Sequence, residues 1–232
     1  MNNEIKKSFE TSINYLEALN KRYLLTLSSY NIFKNFNDLL IAKEKDLNSK
    51  TINDFPYFFT TVRGSSNMYF LVEVCKFFDI DDRSLSLYKL LKFTEINLNY
   101  LTKDNFRLYH KDRVMIDELF DEYKEVSLND IRSFRDKIKQ NKEIINRLKK
   151  YRDQNLAHDD LDKINIVIYK KEIETLLKLI KEILNFYYSK LLFAQSSDRN
   201  FNSEPVNEMN RLINNLKEYD KIYRENIRKK YA

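Results

Sequence analysis

The sequence predicts an all-α protein, built as a bundle of long helices. The chain has one glycine and two prolines in 232 residues, whereas sheet proteins use these residues at their many tight turns. Apolar side chains recur at the three- and four-residue spacing of a helix face. Hydrophobic residues make up 43% of the chain, which is enough to form a sizeable core. Long helices with few connections are expected to pack as a bundle.

The first third of the chain predicts an N-terminal helical extension and the start of the bundle. Residues 4–27 carry one apolar face and form a first helix, and residues 31–49 form a second, looser one. The segment Asn53-Asp54-Phe55-Pro56 starts a third helix, because Asn and Asp cap helix N termini and Pro in the first turn loses no needed donor. This helix is expected to end near Phe78. Gly64 inside it predicts a kink or a close helix contact.

Serine residues mark the next helix starts. Ser84 or Ser86 is expected to cap a helix that carries Leu87, Leu90 and Leu91. Residues 106–123 continue as helix. The segment 127–130 then opens the longest helix, which is predicted to reach at least residue 156.

The last part of the chain predicts two further helices. Residues 159–168 form a connector, and its apolar end has no second strand with which to pair. Residues 170–193 carry a regular 3.6-residue apolar stripe and form a helix. Pro205 starts a last helix that ends near residue 228.

These elements predict one helical domain over residues 1–195, with its core at about 54–195. Residues 196–204 are polar and have the character of a linker. The C-terminal helix, within residues 205–232, is expected to pack on the bundle or on a partner chain. The chain has no internal repeat and no low-complexity tract.

Composition predicts a cytoplasmic protein that does not enter a membrane. The one cysteine, Cys75, lies in an apolar run and fits a buried thiol in a reducing compartment. The N-terminal segment lacks the apolar core of a signal peptide, and no apolar stretch is long enough to span a bilayer. No cysteine and histidine cluster has metal-ligand spacing, so neither a metal nor a cofactor is expected. The net charge of +6 favours an anionic partner such as RNA.

Arg152 and His158 are the candidate catalytic residues. Histidine exchanges protons near neutral pH, and arginine is a permanent cation that offers a planar fork to a phosphate. RNA carries its own nucleophile, the 2′-hydroxyl. A base that removes its proton and a cation that stabilises the phosphorane can cleave the strand without a metal. The expected products have a 2′,3′-cyclic phosphate and a 5′-hydroxyl.

This chemistry predicts a homodimer. Efficient cleavage needs a base for the 2′-hydroxyl and an acid for the leaving 5′-oxygen, but the segment supplies one histidine. Two copies of the segment at a symmetric interface would supply two histidines and two arginines. The site is therefore expected at the dimer interface.

Helix geometry limits how Arg152 and His158 can meet. Six residues along an α-helix turn roughly 600°, so the two side chains start about 120° apart. Their convergence requires the reach of arginine or a helix that ends before His158. Carboxylates disfavour a helix C terminus, so Asp159 and Asp160 are consistent with an end there.

Upstream cations are the candidate RNA-binding residues: Arg147, Lys149 and Lys150.

Spacing alone leaves a structural interpretation open. Arg152 could pair with a nearby acid, and His158 could be a polar residue at a helix end. The other histidine, His110, lies in a basic segment with an aromatic neighbour, and it is expected on a solvated helix face rather than at RNA.

Two segments resemble a known family. The Arg-polar-x4-His pattern of Arg152, Asp153 and His158 resembles the signature of the HEPN superfamily. The string of residues 151–160 resembles the abortive-infection AbiU-type branch. Independently, Phe77-Phe78-Asp79, followed by Ser84-Leu85-Ser86-Leu87 and Leu90-Leu91, resembles a stretch that this branch carries upstream. The resemblance extends over roughly residues 54–193, and the first fifty residues contribute little.

The resemblance implies a dimeric helical bundle with metal-independent ribonuclease activity, acting in phage defence by abortive infection or as a toxin. It implies that Arg152 and His158 are catalytic and that Asp153 supports them. An antitoxin or a defence partner would be consistent with such a role. In some HEPN toxins a tyrosine two residues after the histidine is modified, but here that residue is Asp160, so this route of silencing is not implied. Some HEPN proteins are inactive, so a silent RNA- or protein-binding module is the alternative.

Overall fold

The computed structural model is all-helical and describes residues 2–41, 45–114, 116–157, 166–194 and 199–231. These ranges contain no strand, and the predicted all-α class is confirmed. The helices in chain order are α1 (Asn3–Ile41), α2 (Lys45–Asp54), α3 (Pro56–Phe77), α4 (Leu87–Ile96), α5 (Lys103–Tyr109), α6 (Ile116–Glu122), α7 (Leu128–Gln140), α8 (Lys142–Arg152), α9 (Lys170–Leu192) and α10 (Arg199–Tyr231). A π-helical turn at Asp153–Ala157 directly follows α8.

The chain divides into two compact units. The first unit comprises Met1–Tyr23 and Leu71–Ser197, and the second comprises Leu24–Phe70 and Asp198–Ala232. The single domain over residues 1–195, with its core at about 54–195, stays a prediction. None of the described helices is both long and apolar enough to cross a membrane.

Helix α9 supplies the largest share of the core of the first unit. Its apolar stripe is buried, as the 3.6-residue spacing predicts, and Tyr187 at its far end is fully buried. The Tyr187 hydroxyl lies 2.8 Å from the Thr94 hydroxyl of α4, so its polar atom is hydrogen-bonded inside the core. Phe134 of α7 packs edge-on against Phe186 at 4.9 Å between ring centroids. The buried residues of α9 are Ile173, Leu176, Leu177, Leu179, Ile180, Ile183, Leu184, Tyr187 and Leu191.

Side chains of the segment 110–123 cap the C terminus of α9. The Tyr123 hydroxyl donates to the Lys190 carbonyl (2.8 Å), and His110 Nε2 donates to the Leu191 carbonyl (2.9 Å). The Arg113 guanidinium donates to the carbonyls of Leu192 and Phe193. The last carbonyls of a helix have no partner within it, so these side chains satisfy them. Phe193 then leaves the helix in the left-handed region, with φ 47°.

The sequence predicts that residues 106–123 form one helix. The cap explains why they do not. The chain leaves the helical path after Tyr109, and the backbone turns so that the Arg113 N–H donates to the His110 carbonyl at 2.8 Å. His110 also lies in a different environment from the predicted solvated face. Its ring is half-buried and packs against Phe106 and Tyr109.

The second unit is built from the C-terminal part of α1, from α2, from the N-terminal part of α3, and from α10. Phe36, Phe59, Met209 and Ile213 form its buried cluster. Asn35 donates to Asn210 at 3.0 Å. The C-terminal helix therefore packs within its own chain along its first half. Further along α10 the large apolar side chains are exposed, at Tyr219, Ile222, Tyr223 and Ile227.

Both terminal helices are longer than predicted. Helix α1 continues through the serines at residues 28 and 29 because Tyr30, directly after them, is buried against Phe70 at 5.4 Å between centroids. Helix α10 begins at Arg199, so residues 199–204 are helical and are not the predicted linker. Pro205 lies inside this helix rather than at its start.

The predicted helix from residue 127 to beyond residue 156 is interrupted at Asn141. The capping box of Ser127 and Asp130 starts α7 as expected. Asn141 then donates its side-chain amide to the Lys137 carbonyl (2.9 Å), while its backbone N–H bonds three residues back to Ile138. This side-chain competition for a carbonyl is the usual reason that asparagine ends a helix.

Replacing Gly64 with alanine should stabilise the protein. Gly64 lies inside α3, and a Cβ atom built there meets nothing within 4 Å, so the predicted close contact is absent. Alanine should raise the free energy of unfolding by about 0.5–1 kcal/mol, because glycine loses more backbone entropy in a helix. Thermal and urea unfolding would measure this change. Gly64→Pro, the control, should destabilise strongly, and a destabilising Gly64→Ala would contradict the open environment.

The His110 cap should make stability depend on pH. Burial lowers the pKa of His110 below its ordinary value of 6.5, and the Arg113 charge lowers it further, while the bond to the Leu191 carbonyl opposes the shift. As the pH falls, the unfolded chain therefore binds a proton at His110 at a higher pH than the folded chain does. The free energy of unfolding decreases as the pH falls below 6.5. His110→Gln, which keeps a donor, should flatten this part of the profile in urea unfolding at pH 5–8. An unchanged slope in the variant would contradict the assignment.

Candidate active site

Helix α8 brings two cations to one side at its C-terminal end. Ile145 and Leu148 are buried and anchor the helix in the first unit. Lys149 and Arg152 are three residues apart and therefore lie on neighbouring positions of the helix surface. Both side chains are 23% exposed. Each cation is thus partly withdrawn from water and requires a partner.

Asp153 holds the Arg152 guanidinium. Arg152 Nε donates to an oxygen of Asp153 at 2.8 Å, and Nη2 lies 2.7 Å from the same oxygen in an ion pair. Partial burial acts to lower the pKa of Arg152, but the hydrogen bond to Asp153 and the carboxylates of Asp153 and Asp79 raise it above its ordinary value. Arg152 is therefore a permanent cation, as binding to a phosphate requires.

Asp79 is a second carboxylate close to the two cations. Its carboxylate is 3.1 Å from Lys149 Nζ and 3.9 Å from Arg152 Nη1. Lys149 also donates to the backbone carbonyl of Phe78 at 2.8 Å. The Phe77-Phe78-Asp79 segment and the Arg152 segment, both noted in the sequence, therefore meet in space.

A π-helical turn follows Arg152. Such turns are rare and are frequent at functional sites. The Asn155 side chain donates to the Tyr151 carbonyl at 3.2 Å, which is the acceptor that the Asn155 backbone would use in an α-helix. Gln154 Oε1 is buried, and within the described part of the chain it has no hydrogen-bond donor. The α-helical conformation therefore ends at Arg152 and the π-helical turn extends to Ala157. The predicted end of the helix before His158 stays a prediction.

The structure places only part of the predicted catalytic set. Arg152 and Asp153 are in direct contact. His158, Asp159 and Asp160 lie outside the described residues. Their distances to Arg152 therefore stay predictions.

The three candidate RNA-binding cations have different surroundings. Arg147 forms an ion pair with Glu172 near the start of α9. Lys149 is engaged by Asp79 and the Phe78 carbonyl. Lys150 is exposed to solvent. Of the three, Lys150 is the most open to solvent. The binding of RNA by all three stays a prediction.

Asp79 is the residue that sequence reasoning did not assign to the site. The signal was present, because Asp79 ends one of the two segments that resemble the family. Its position next to Lys149 and Arg152 depends on how the end of α3 packs against α8. That packing cannot be read from the spacing of residues along the chain.

Cys75 lies close enough to the site for its charges to act on the thiol. Burial raises the pKa of Cys75 to about 12, although the charges of Arg152 and Lys149 act to lower it. The side chain is 1% exposed. The predicted buried thiol is therefore found. The described residues contain no group of three acidic, histidine or cysteine side chains arranged to hold a metal ion.

Comparison with known proteins places the chain in a family. The family model HEPN_AbiU2, described as AbiU2, matches residues 9–209. The chain belongs to the AbiU2 family of HEPN proteins. The matched range is wider than the residues 54–193 over which the sequence motifs resemble the family. No curated protein and no solved structure matches the chain.

Membership in the AbiU2 family agrees with the all-helical fold and supports a role related to abortive infection. The matched range includes both the Asp79 segment and the Arg152 segment. Asp79, Lys149 and Arg152 therefore lie within the family domain.

Cys75 should be inert in the folded AbiU2 chain. A thiol with a pKa near 12 contains almost no thiolate at pH 8, and a buried one is also inaccessible. Labelling with a thiol-reactive dye should be slow in buffer and fast in denaturant. Because Cys75 is the one cysteine, the signal is unambiguous. Rapid labelling of the folded protein would show that the core around the site opens.

Proposed function

We propose that this AbiU2 protein is a metal-independent endoribonuclease that acts in phage defence by abortive infection or as a toxin. The observation that carries the proposal is the Arg152 guanidinium, held by Asp153 at the end of α8 with part of its surface open to solvent. The cation is thus oriented before any ligand binds. Such preorganisation is what stabilisation of a developing phosphate charge requires.

Arg152 retains donors for a phosphate. One oxygen of Asp153 accepts a hydrogen bond from Nε and forms an ion pair with Nη2. The 3.9 Å between Arg152 Nη1 and Asp79 is longer than a hydrogen bond. The Nη1 hydrogens can therefore bind a non-bridging oxygen of the scissile phosphate. The exposed Lys150 lies two residues upstream and would add positive charge along the RNA.

His158 is proposed to move the protons. The base takes the proton from the 2′-hydroxyl, the O2′–P bond forms, the P–O5′ bond breaks, and the leaving O5′ receives a proton from the acid. One histidine in the segment cannot be base and acid in the same event. We therefore propose a homodimer in which the two copies of Arg152 and His158 share one cleft.

The proposed cellular setting follows from the same features. A buried reduced thiol at Cys75 suits a reducing cytoplasm. The proposed substrate is RNA, and no step requires a cofactor. A toxic ribonuclease must be controlled, so an antitoxin or a defence partner belongs to the proposal.

A catalytically silent module that binds RNA or a protein is the alternative. The exposed apolar side chains on the second half of α10, including Tyr219 and Tyr223, favour a protein-binding role. Dependence of cleavage on His158 separates this alternative from the nuclease.

The purified protein should cleave RNA in EDTA and leave 2′,3′-cyclic phosphate ends. His158→Ala should lower kcat about 10²–10⁴-fold, which is the usual contribution of general acid–base catalysis. Arg152→Ala should remove most of the activity with little loss of fold. End-group mapping and circular dichroism would measure both effects.

Two variants provide matched controls for this assay. Arg132→Ala removes an exposed arginine from α7, and His110→Gln alters the histidine of the α9 cap. Both should retain cleavage at pH 7.5. Equal cleavage by wild type and His158→Ala would show a contaminating nuclease or a different site, and the nuclease proposal would then be dropped in favour of the binding module.

A further inference from the structure

The Arg152 guanidinium has two restraints of different origin. Asp153 is its immediate neighbour in the chain, and its side chain is 54% exposed. A hydrogen bond to a carboxylate that is this exposed competes with water, so Asp153 by itself restrains Arg152 only weakly. Asp79 comes from the segment after α3, and its carboxylate is 23% exposed.

Asp79 is itself well anchored. Its backbone N–H donates to the Lys76 carbonyl at 3.3 Å, and the preceding Phe78 N–H donates to the Cys75 carbonyl at 3.0 Å. Phe78 is buried. Lys149 donates to the Phe78 carbonyl and pairs with Asp79, so it ties the same segment to α8.

The two distances from Asp79 suggest a division of roles. The carboxylate is closer to Lys149 (3.1 Å) than to Arg152 (3.9 Å). Asp79 therefore neutralises Lys149 and attracts Arg152 without occupying its Nη1 hydrogens. Without this carboxylate, two partly buried cations would face each other and repel. Arg152 would then turn towards solvent.

We propose that Asp79 is a positioning residue that, together with Lys149, holds Arg152 in the orientation that binds the scissile phosphate. The inference rests on the proposed ribonuclease function for its catalytic consequence. Its structural part, the orientation of Arg152, can be measured without any cleavage. A failure of the positioning role of Asp79 can therefore be distinguished from a failure of the ribonuclease proposal.

Three variants isolate the carboxylate of Asp79. Asp79→Asn removes the charge and keeps the size, and Asp79→Glu restores a carboxylate on a longer side chain. Asp82→Asn is the matched control, because Asp82 lies in the same connecting segment and pairs with Lys92 rather than with α8. Thermal unfolding of the full-length variants checks that each one folds.

The first readout is the Arg152 Nε–H resonance in arginine-labelled protein, assigned with Arg152→Lys. In wild type and in Asp82→Asn this proton should exchange slowly with water, because the guanidinium is held. In Asp79→Asn it should exchange at least about tenfold faster, and Asp79→Glu should recover part of the protection. The same exchange rate in Asp79→Asn and Asp82→Asn would overturn the inference, whatever the activity.

The second readout is RNA cleavage in EDTA at saturating substrate. Displacement of a positioned catalytic group by about 1 Å can cost 10²-fold, so Asp79→Asn should lower kcat about 10- to 100-fold with a smaller change in KM. Asp79→Glu should rescue part of kcat, and Asp82→Asn should match wild type. Unchanged kcat in an Asp79→Asn protein whose Arg152 proton exchanges faster would overturn the positioning role. If wild type does not cleave RNA but Asp79→Asn frees Arg152, the orientation by Asp79 stands and the ribonuclease proposal fails.

Discussion

The pairing of partly buried charges at the end of α8 determines the arrangement of the site. Lys149 and Arg152 are both 23% exposed, and an unpaired cation at that depth would be costly. Their partners are Asp153 and the segment of Phe78 and Asp79. Phe78 is 71 residues from Lys149 in the chain. The connection after α3 must therefore pass along α8, and this brings together the two segments that resemble the AbiU2 branch.

The sequence predicts helices well where one apolar stripe is buried along the whole element. Helix α9, Lys170–Leu192, follows the predicted range of 170–193 closely because its periodicity is uninterrupted. The sequence predicts poorly where a helix is interrupted. The interruption at Asn141 depends on a side-chain bond to the Lys137 carbonyl, and the continuity of α1 depends on the contact of Tyr30 with Phe70. The first interaction is a local property of asparagine that apolar periodicity does not report, and the second is a tertiary contact that local propensity does not report.

Prediction of the candidate site follows the same rule. The contact between Arg152 and Asp153 is local, and the sequence motif identifies it directly. The engagement of Arg147 by Glu172 and of Lys149 by Asp79 is long-range, so a count of basic residues could not separate them from the exposed Lys150. Asp79 could be noticed as part of a motif, but its place beside Arg152 required the packing of α3 against α8.

The capped end of α9 has a consequence for how the first unit opens. The segment 110–123 contains the short helix α6, and surface segments of this kind often open independently of the core. Here Tyr123, His110 and Arg113 supply the bonds to the last carbonyls of the most buried helix. Detaching this segment would leave those carbonyls without their side-chain donors. We therefore expect the segment and α9 to unfold together, so that a surface segment is protected from local opening to the same extent as the core helix that it caps.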